Sequence, residues 1–97
     1  MDAGLDESAL VAAISEWETV KARAAAAQAR ASVLLAAKRR AAEEARGVPA
    51  ARRGRGLAAE IALARRDAPS RGGRHLGFAR ALVGEMPHTL AALESGV

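Results

Sequence analysis

Residues 8–46 contain neither glycine nor proline, and this uninterrupted stretch constrains the fold more than any other feature of the sequence. Alanine, the strongest helix former, is its commonest residue. The stretch therefore predicts one long helix, about 55 Å in length at 1.5 Å per residue, with Ser8 as its N-cap. Gly47 and Pro49 predict where it stops, and the charged run 38–44 predicts that its last turns are frayed.

One apolar stripe runs along this helix in alternating steps of three and four residues, the spacing of a coiled-coil or helical-hairpin seam. Its members are Leu10, Ala13, Trp17, Val20, Ala24, Ala27, Ala31 and Leu34. Two interpretations follow. The stripe is the core-facing side of the helix, with Trp17 as a core anchor, or it is a surface through which the chain associates with itself or with a helical partner.

The remainder of the chain predicts an all-α fold, with three short helices after a Gly/Arg-rich linker at 47–56. The short helices are expected at about 57–66, at about 70–83 after a turn, and from Pro87 to about residue 94. The apolar side chains expected to be buried are Leu57, Ile61, Ala64, Leu76, Ala79, Leu82, Val83, Leu90 and Leu93. Ninety-seven residues fit a single small domain, 1–97.

Charge is distributed unevenly although the net value is only +4. Residues 1–20 carry five acids and no lysine or arginine, whereas residues 46–80 carry nine arginines against two acids, a net charge of +7. A basic segment of this kind attracts polyanions such as nucleic acids. An ordinary solvated arginine surface is the alternative.

The sequence offers no chemistry of its own beyond this charge. Without cysteine it has no disulfide or thiolate metal site. His75 and His88 lack carboxylates at a ligand-like spacing, so no metal, cofactor or catalytic residue is predicted. The acidic start is unlike a signal peptide and no apolar run is long enough for a membrane span, which predicts a cytoplasmic protein.

A helix, a short turn and a second helix rich in arginine form the outline of a helix-turn-helix. In that arrangement Ser70, Arg71 and Arg74 would meet base edges, and the linker arginines would contact phosphates. The linker residues concerned are Arg52, Arg53 and Arg55. Gly72 and Gly73 are expected to loosen the second helix.

The segments Glu60-Ile61-Ala62-Leu63-Ala64, Ala79-Arg80-Ala81-Leu82 and Met86-Pro87 with Thr89-Leu90-Ala91-Ala92-Leu93 resemble the actinobacterial DUF222 family, also called the 13E12 repeat family. Leu10 to Ile14 and Trp17 are similar to its first helix. The resemblance implies a helical N-terminal region of the kind found in multi-domain proteins that often carry an HNH endonuclease domain near the C-terminus. No HNH motif is present in this sequence, so the resemblance transfers no catalytic residue.

Together these features predict a non-catalytic helical module that binds DNA through its arginines. A helical dimerisation or protein-interaction module is the alternative from a different class. A truncated family member without activity of its own is a third interpretation.

Overall fold

The computed structural model describes residue 4 and residues 6–96, and within them the chain is helical with no β-strand. The long helix α1 spans Glu7–Ala45, and the short helices are α2 Leu57–Ala64, α3 Gly72–Gly84 and α4 Pro87–Ser95. Single 3₁₀ turns occupy Ala50–Arg52 and Pro69–Arg71. The predicted all-α architecture, one long helix followed by three short ones, is confirmed.

Helix α1 begins and ends differently from the sequence-based expectation. Its N-cap is Asp6, whose Oδ1 accepts a hydrogen bond from the Ala9 amide at 2.7 Å, so the assignment of Ser8 was wrong. The expected fraying over 38–44 was also wrong, because the helix continues to Ala45. Arg39 forms an ion pair with Glu60 of α2 at 2.8 Å, and this contact ties the last turns of α1 to the bundle.

Two small apolar clusters form the core. Helices α3 and α4 pack across the middle of α1 in a cluster formed by Ala26, Ala29, Ala79, Leu82 and Leu90. Nearer the C-terminus of α1, a second cluster joins it to α2 and α3 through Ala36, Leu57, Ile61 and Leu76. Alanine on α1 and on α3 lets the helix axes approach closely, so the core is narrow and few large side chains are fully enclosed.

The apolar stripe of α1 does not face this core, and the core-packing interpretation was therefore wrong. Trp17 is 60% exposed, Val20 50% and Leu34 60%, and Ala24, Ala27 and Ala31 are exposed as well. Leu10 and Ala13 are half-buried. The buried positions of α1 are instead Ala26, Ala29, Ser32, Ala36 and Glu43. At 3.6 residues per turn these positions face roughly 150° away from the stripe.

The physical reason is that alanine makes both sides of α1 apolar. The helix packs on the side whose small residues fit α3 and α4, and the larger side chains remain outside. We call the stripe formed by Leu10, Ala13, Trp17, Val20, Ala24, Ala27, Ala31 and Leu34 the outer stripe. Its use in self-association remains a prediction.

Burial in the short helices largely agrees with expectation. Leu57, Ile61, Leu76, Ala79, Leu82 and Leu90 are buried, and Val83 and Leu93 are half-buried. The expectation for Ala64 was wrong, since Ala64 is exposed and Ala62 is buried in its place.

The connection between α2 and α3 is a tight turn. Arg66 adopts the left-handed conformation with φ of 59°, and the Asp67 amide donates to the Ala62 carbonyl at 2.8 Å. This is the hydrogen-bond pattern of a Schellman C-cap, in which the left-handed residue is usually glycine. The Asp67 carboxylate accepts from the Ala68 amide at 2.8 Å and thereby fixes the start of the next turn.

Gly72 holds α3 close to α2 and does not loosen the helix, so the expectation for this residue was wrong. A Cβ atom there would overlap the backbone carbonyl of Ala58. A Cβ at Gly73 would meet nothing within 4 Å, so only the first of the two glycines is required by packing.

Candidate nucleic-acid interface

The outer face of α3 is open to solvent and carries charge at both ends. Gly73, Arg74, Gly77, Phe78 and Arg80 are exposed. Gly77, like Gly73, has no atom within 4 Å of an added Cβ position. Arg74 and Arg80 are six residues apart, which corresponds to about 9 Å along the helix axis. The face therefore combines two glycines without side chains, the exposed ring of Phe78 and an arginine toward each end.

At the N-terminal end of α3 lies a shallow groove of about 440 Å³. It is lined by Arg65, Asp67, Arg71, Arg74, His75 and Phe78. Arg71 lies 3.4 Å from an Asp67 carboxylate oxygen and Arg65 lies 3.8 Å from the other. Arg74 has no carboxylate partner among the described residues. The groove therefore keeps an excess of positive charge, although Asp67 occupies part of it.

Farther along α3, arginines from three separate elements converge on a smaller and more enclosed cavity of about 100 Å³. Arg39 and Arg40 come from α1, Arg53 from the linker and Arg80 from α3. We call this cavity the arginine pocket. Ala36, Gly54 and Leu57 complete its lining.

Only two of these four arginines have partners among the described residues. Arg39 is paired with Glu60, and Arg53 donates from Nε to the Val48 carbonyl at 2.9 Å. Arg40 and Arg80 have no hydrogen-bonded or ion-paired partner in the part of the chain that the structure describes. Their guanidinium groups therefore have donors available for an added anion.

A buried carboxylate holds the linker in place beside the arginine pocket. Glu43 is 7% exposed, and both of its carboxylate oxygens accept from the Gly54 amide at 3.2 Å. The Val48 amide donates to the Glu43 carbonyl at 2.9 Å. The segment that presents Arg53 is therefore fixed to the end of α1.

His75 connects the groove to α1 and stays neutral near pH 7. Its Nε2 lies 3.0 Å from the Ser32 hydroxyl. Partial burial lowers the pKa of His75 below its ordinary value of 6.5, and the nearby positive charge of Arg65 lowers it further. Among the described residues, no group of three or more His, Asp or Glu side chains could hold a metal ion.

The structure divides the arginines predicted to bind DNA. Arg71 and Arg74 lie together in the groove, whereas Arg53 lies in the arginine pocket. Arg52, Arg55 and Ser70 are exposed and line neither cavity.

Sequence reasoning missed Arg39, Arg40 and Arg80 as candidate site residues. The signal was present in the basic run Lys38-Arg39-Arg40, but that run was interpreted as a frayed helix end. Nothing in the sequence pattern indicated that α3 and the linker would meet it.

No protein-family model matches the chain, and no curated protein or solved structure matches it. The resemblance to the DUF222 family therefore remains a prediction from the sequence. None of the helices in the described residues is long and apolar enough to cross a membrane.

Proposed function

We propose that this chain is a non-catalytic helical module that binds DNA through the outer face of α3 and the two arginine-bearing cavities beside it. The observation that carries the proposal is the arginine pocket. Four arginines from α1, the linker and α3 line a cavity of about 100 Å³. The proposed role agrees with the resemblance to DUF222 proteins, which often carry an HNH endonuclease domain, and from the sequence we propose a cytoplasmic location.

The pocket favours a phosphate oxyanion on electrostatic grounds. Positive side chains that line one cavity repel one another. Glu60, paired with Arg39, and Glu43, bound to Gly54 beside the pocket, offset only part of this charge. An anion bound in the cavity would attract each of the arginines and so compensate their mutual repulsion. Arginine also presents paired N–H donors that match phosphate geometry. The cavity has room for a few water molecules or one tetrahedral oxyanion.

The geometry of α3 suits a backbone of several phosphates. Arg74 and Arg80 are separated by about 9 Å along the axis, and phosphates of one strand follow one another every 3.4 Å or so along a DNA duplex. The two side chains also lie about 120° apart around the helix, so they could contact phosphates on either side of its exposed face. Gly73 and Gly77 lie between or beside them without side chains, which lets the strand approach the helix backbone closely.

Contacts of this kind position DNA without reading its sequence. Arg71, a predicted base-reading residue, is partly neutralised by Asp67 at 3.4 Å. We therefore propose that binding is dominated by phosphate contacts and has little sequence preference.

The test is a fluorescence-anisotropy titration of the chain with a labelled random duplex at several salt concentrations. We expect binding that weakens with salt. In an Arg40→Gln/Arg80→Gln variant we expect weaker binding and a shallower salt dependence, with the slope of log K against log salt reduced by roughly two.

A Lys21→Gln/Arg23→Gln variant is the matched control, because it removes two positive charges from exposed positions of α1 far along the chain from the pocket. It should retain most of the wild-type affinity. Absence of binding at low salt would overturn the proposal. An equal loss in both variants would show that net charge, and not the arginine pocket, governs binding.

A further inference from the structure

The outer stripe is an apolar surface that is exposed over most of its length, and α2 borders it at Ala31, which lines a shallow groove with Ile61 and Ala64. Helices α3 and α4 occupy the opposite side of α1, so a second helix can lie along the stripe without displacing them. We propose that the stripe binds a second copy of this chain, with the two α1 helices antiparallel and a two-fold axis passing near residue 22. The inference does not depend on DNA binding.

Side-chain sizes along the stripe fit this register. Antiparallel pairing about residue 22 places Trp17 opposite Ala27 of the second copy, and Val20 opposite Ala24. At the ends, Leu10 faces Leu34 of the second copy, and Ala13 faces Ala31. Each large side chain near the axis therefore meets an alanine, and the two leucines close the ends. Antiparallel coiled coils pair their core positions in this manner, large against small, to keep the helices close.

Charge selects the antiparallel orientation. Between residues 6 and 20, α1 and its cap carry four acids and no base, whereas residues 21–40 carry six bases and no acid. An antiparallel pair sets each acidic half against the basic half of the other copy. A parallel pair would set like charges against each other along the whole helix, which is unfavourable.

Two positive residues oppose the arrangement near the axis. Lys21 and Arg23 flank the stripe there and approach their own copies across the two-fold. Both are exposed, and Glu18 is paired with Lys21 at 3.0 Å. Solvent and salt screen such exposed charges, so the repulsion is small beside the burial of Trp17, Val20 and two leucines on each chain.

Sedimentation velocity over a range of protein concentrations tests the association. We expect a reversible dimer, with its dissociation constant raised at least tenfold by Trp17→Glu and by Ala24→Glu. Both sites are exposed in the single chain, so the variants should keep the fold, which circular dichroism would check. Val11→Glu is the matched control: Val11 is 65% exposed on the same helix but lies roughly 150° from the stripe, and its dimer should persist.

Cross-linking tests the orientation. The natural chain has no cysteine, so single-cysteine variants Leu10→Cys and Leu34→Cys can be joined by a short thiol-specific cross-linker. Antiparallel pairing predicts covalent dimers only when the two variants are mixed. Covalent dimers within either variant alone would overturn the antiparallel register, and a chain that stays monomeric up to its solubility limit would overturn the association itself.

Discussion

At the scale of single residues, the turn after α2 shows how a local conflict is tolerated. Arg66 occupies a left-handed conformation that costs an L-residue about 1 kcal/mol and that glycine adopts freely. The turn is nevertheless closed, because the Asp67 amide bonds to Ala62 and the Asp67 carboxylate bonds to the next amide. The two hydrogen bonds made by Asp67 therefore fix the geometry of a C-cap that usually contains glycine.

Arg66→Gly should stabilise the protein by about 0.5 kcal/mol, because relief of the left-handed strain exceeds the larger entropy of the unfolded glycine chain. Arg66→Ala is the control, since it removes the same side chain but leaves the strain in place. Urea unfolding of both variants measures the difference. A gain as large in the alanine variant would mean that the arginine side chain, and not its backbone, is unfavourable.

His75 predicts a dependence of stability on pH. Its pKa is lowered in the folded protein, so below the ordinary value of 6.5 the unfolded state binds more protons than the folded state. The stability contributed by neutral His75 is complete above that value and is lost as the pH falls below it. Compared with His75→Gln, the wild type should lose melting temperature faster between about pH 7 and about pH 5. Parallel curves for the two proteins would contradict this assignment.

At the scale of elements, α2 and α3 approach so closely that one position admits only glycine. A Cβ at Gly72 would collide with the Ala58 carbonyl, whereas one at Gly73 would extend into open space. The same substitution at neighbouring residues of one helix should therefore have opposite effects.

Gly72→Ala should destabilise the fold by about 2 kcal/mol or more, because the backbone of α2 must shift to accept the methyl group. Gly73→Ala should stabilise it by about 0.5 kcal/mol through lower entropy of the unfolded chain. Thermal or urea unfolding of the two variants measures both signs. Equal destabilisation would show that the helices do not approach at Gly72 as described.

At the scale of the whole molecule, the fold is elongated and measures 61 × 28 × 18 Å along its principal axes. The bundle lies against the middle and C-terminal part of α1. Toward the N-terminus, the first side-chain hydrogen bond from α1 to another helix region, among the described residues, is from Thr19 to the Gly96 carbonyl at 3.2 Å. Earlier turns of α1 extend past the bundle, and they carry the acidic residues of the helix together with the N-terminal part of the outer stripe.

Amide hydrogen exchange should therefore be graded along α1. In solution dilute enough to keep the proposed dimer dissociated, amides around Ala26 to Ala36 should be the most protected, and those before Thr19 should exchange faster because tertiary packing does not cover them. Raising the protein concentration should slow exchange around Trp17 if the outer stripe pairs. Uniform protection of α1 at all concentrations would contradict this description.

Local sequence signals were enough to predict the helices. The absence of glycine and proline, together with the alanine content, determined α1, and Gly47, Pro69 and Pro87 marked where segments end or begin. These signals act over a few neighbouring residues, so they can be recognised in the sequence without a tertiary structure. The burial of most leucines in the short helices could be predicted for the same reason.

Packing between helices determines which side of α1 is buried and which arginines lie together, and neither could be predicted from local sequence. Because alanine lines several faces of α1, periodicity could not choose between the Trp17 side and the Ala29 side, and packing against α3 and α4 made the choice. The arginine pocket joins arginines up to 41 positions apart, Arg39 and Arg80, and such a meeting depends on how the helices cross. Local sequence does not predict how the helices cross, because the crossing arises from close packing at Gly72 and Ala79.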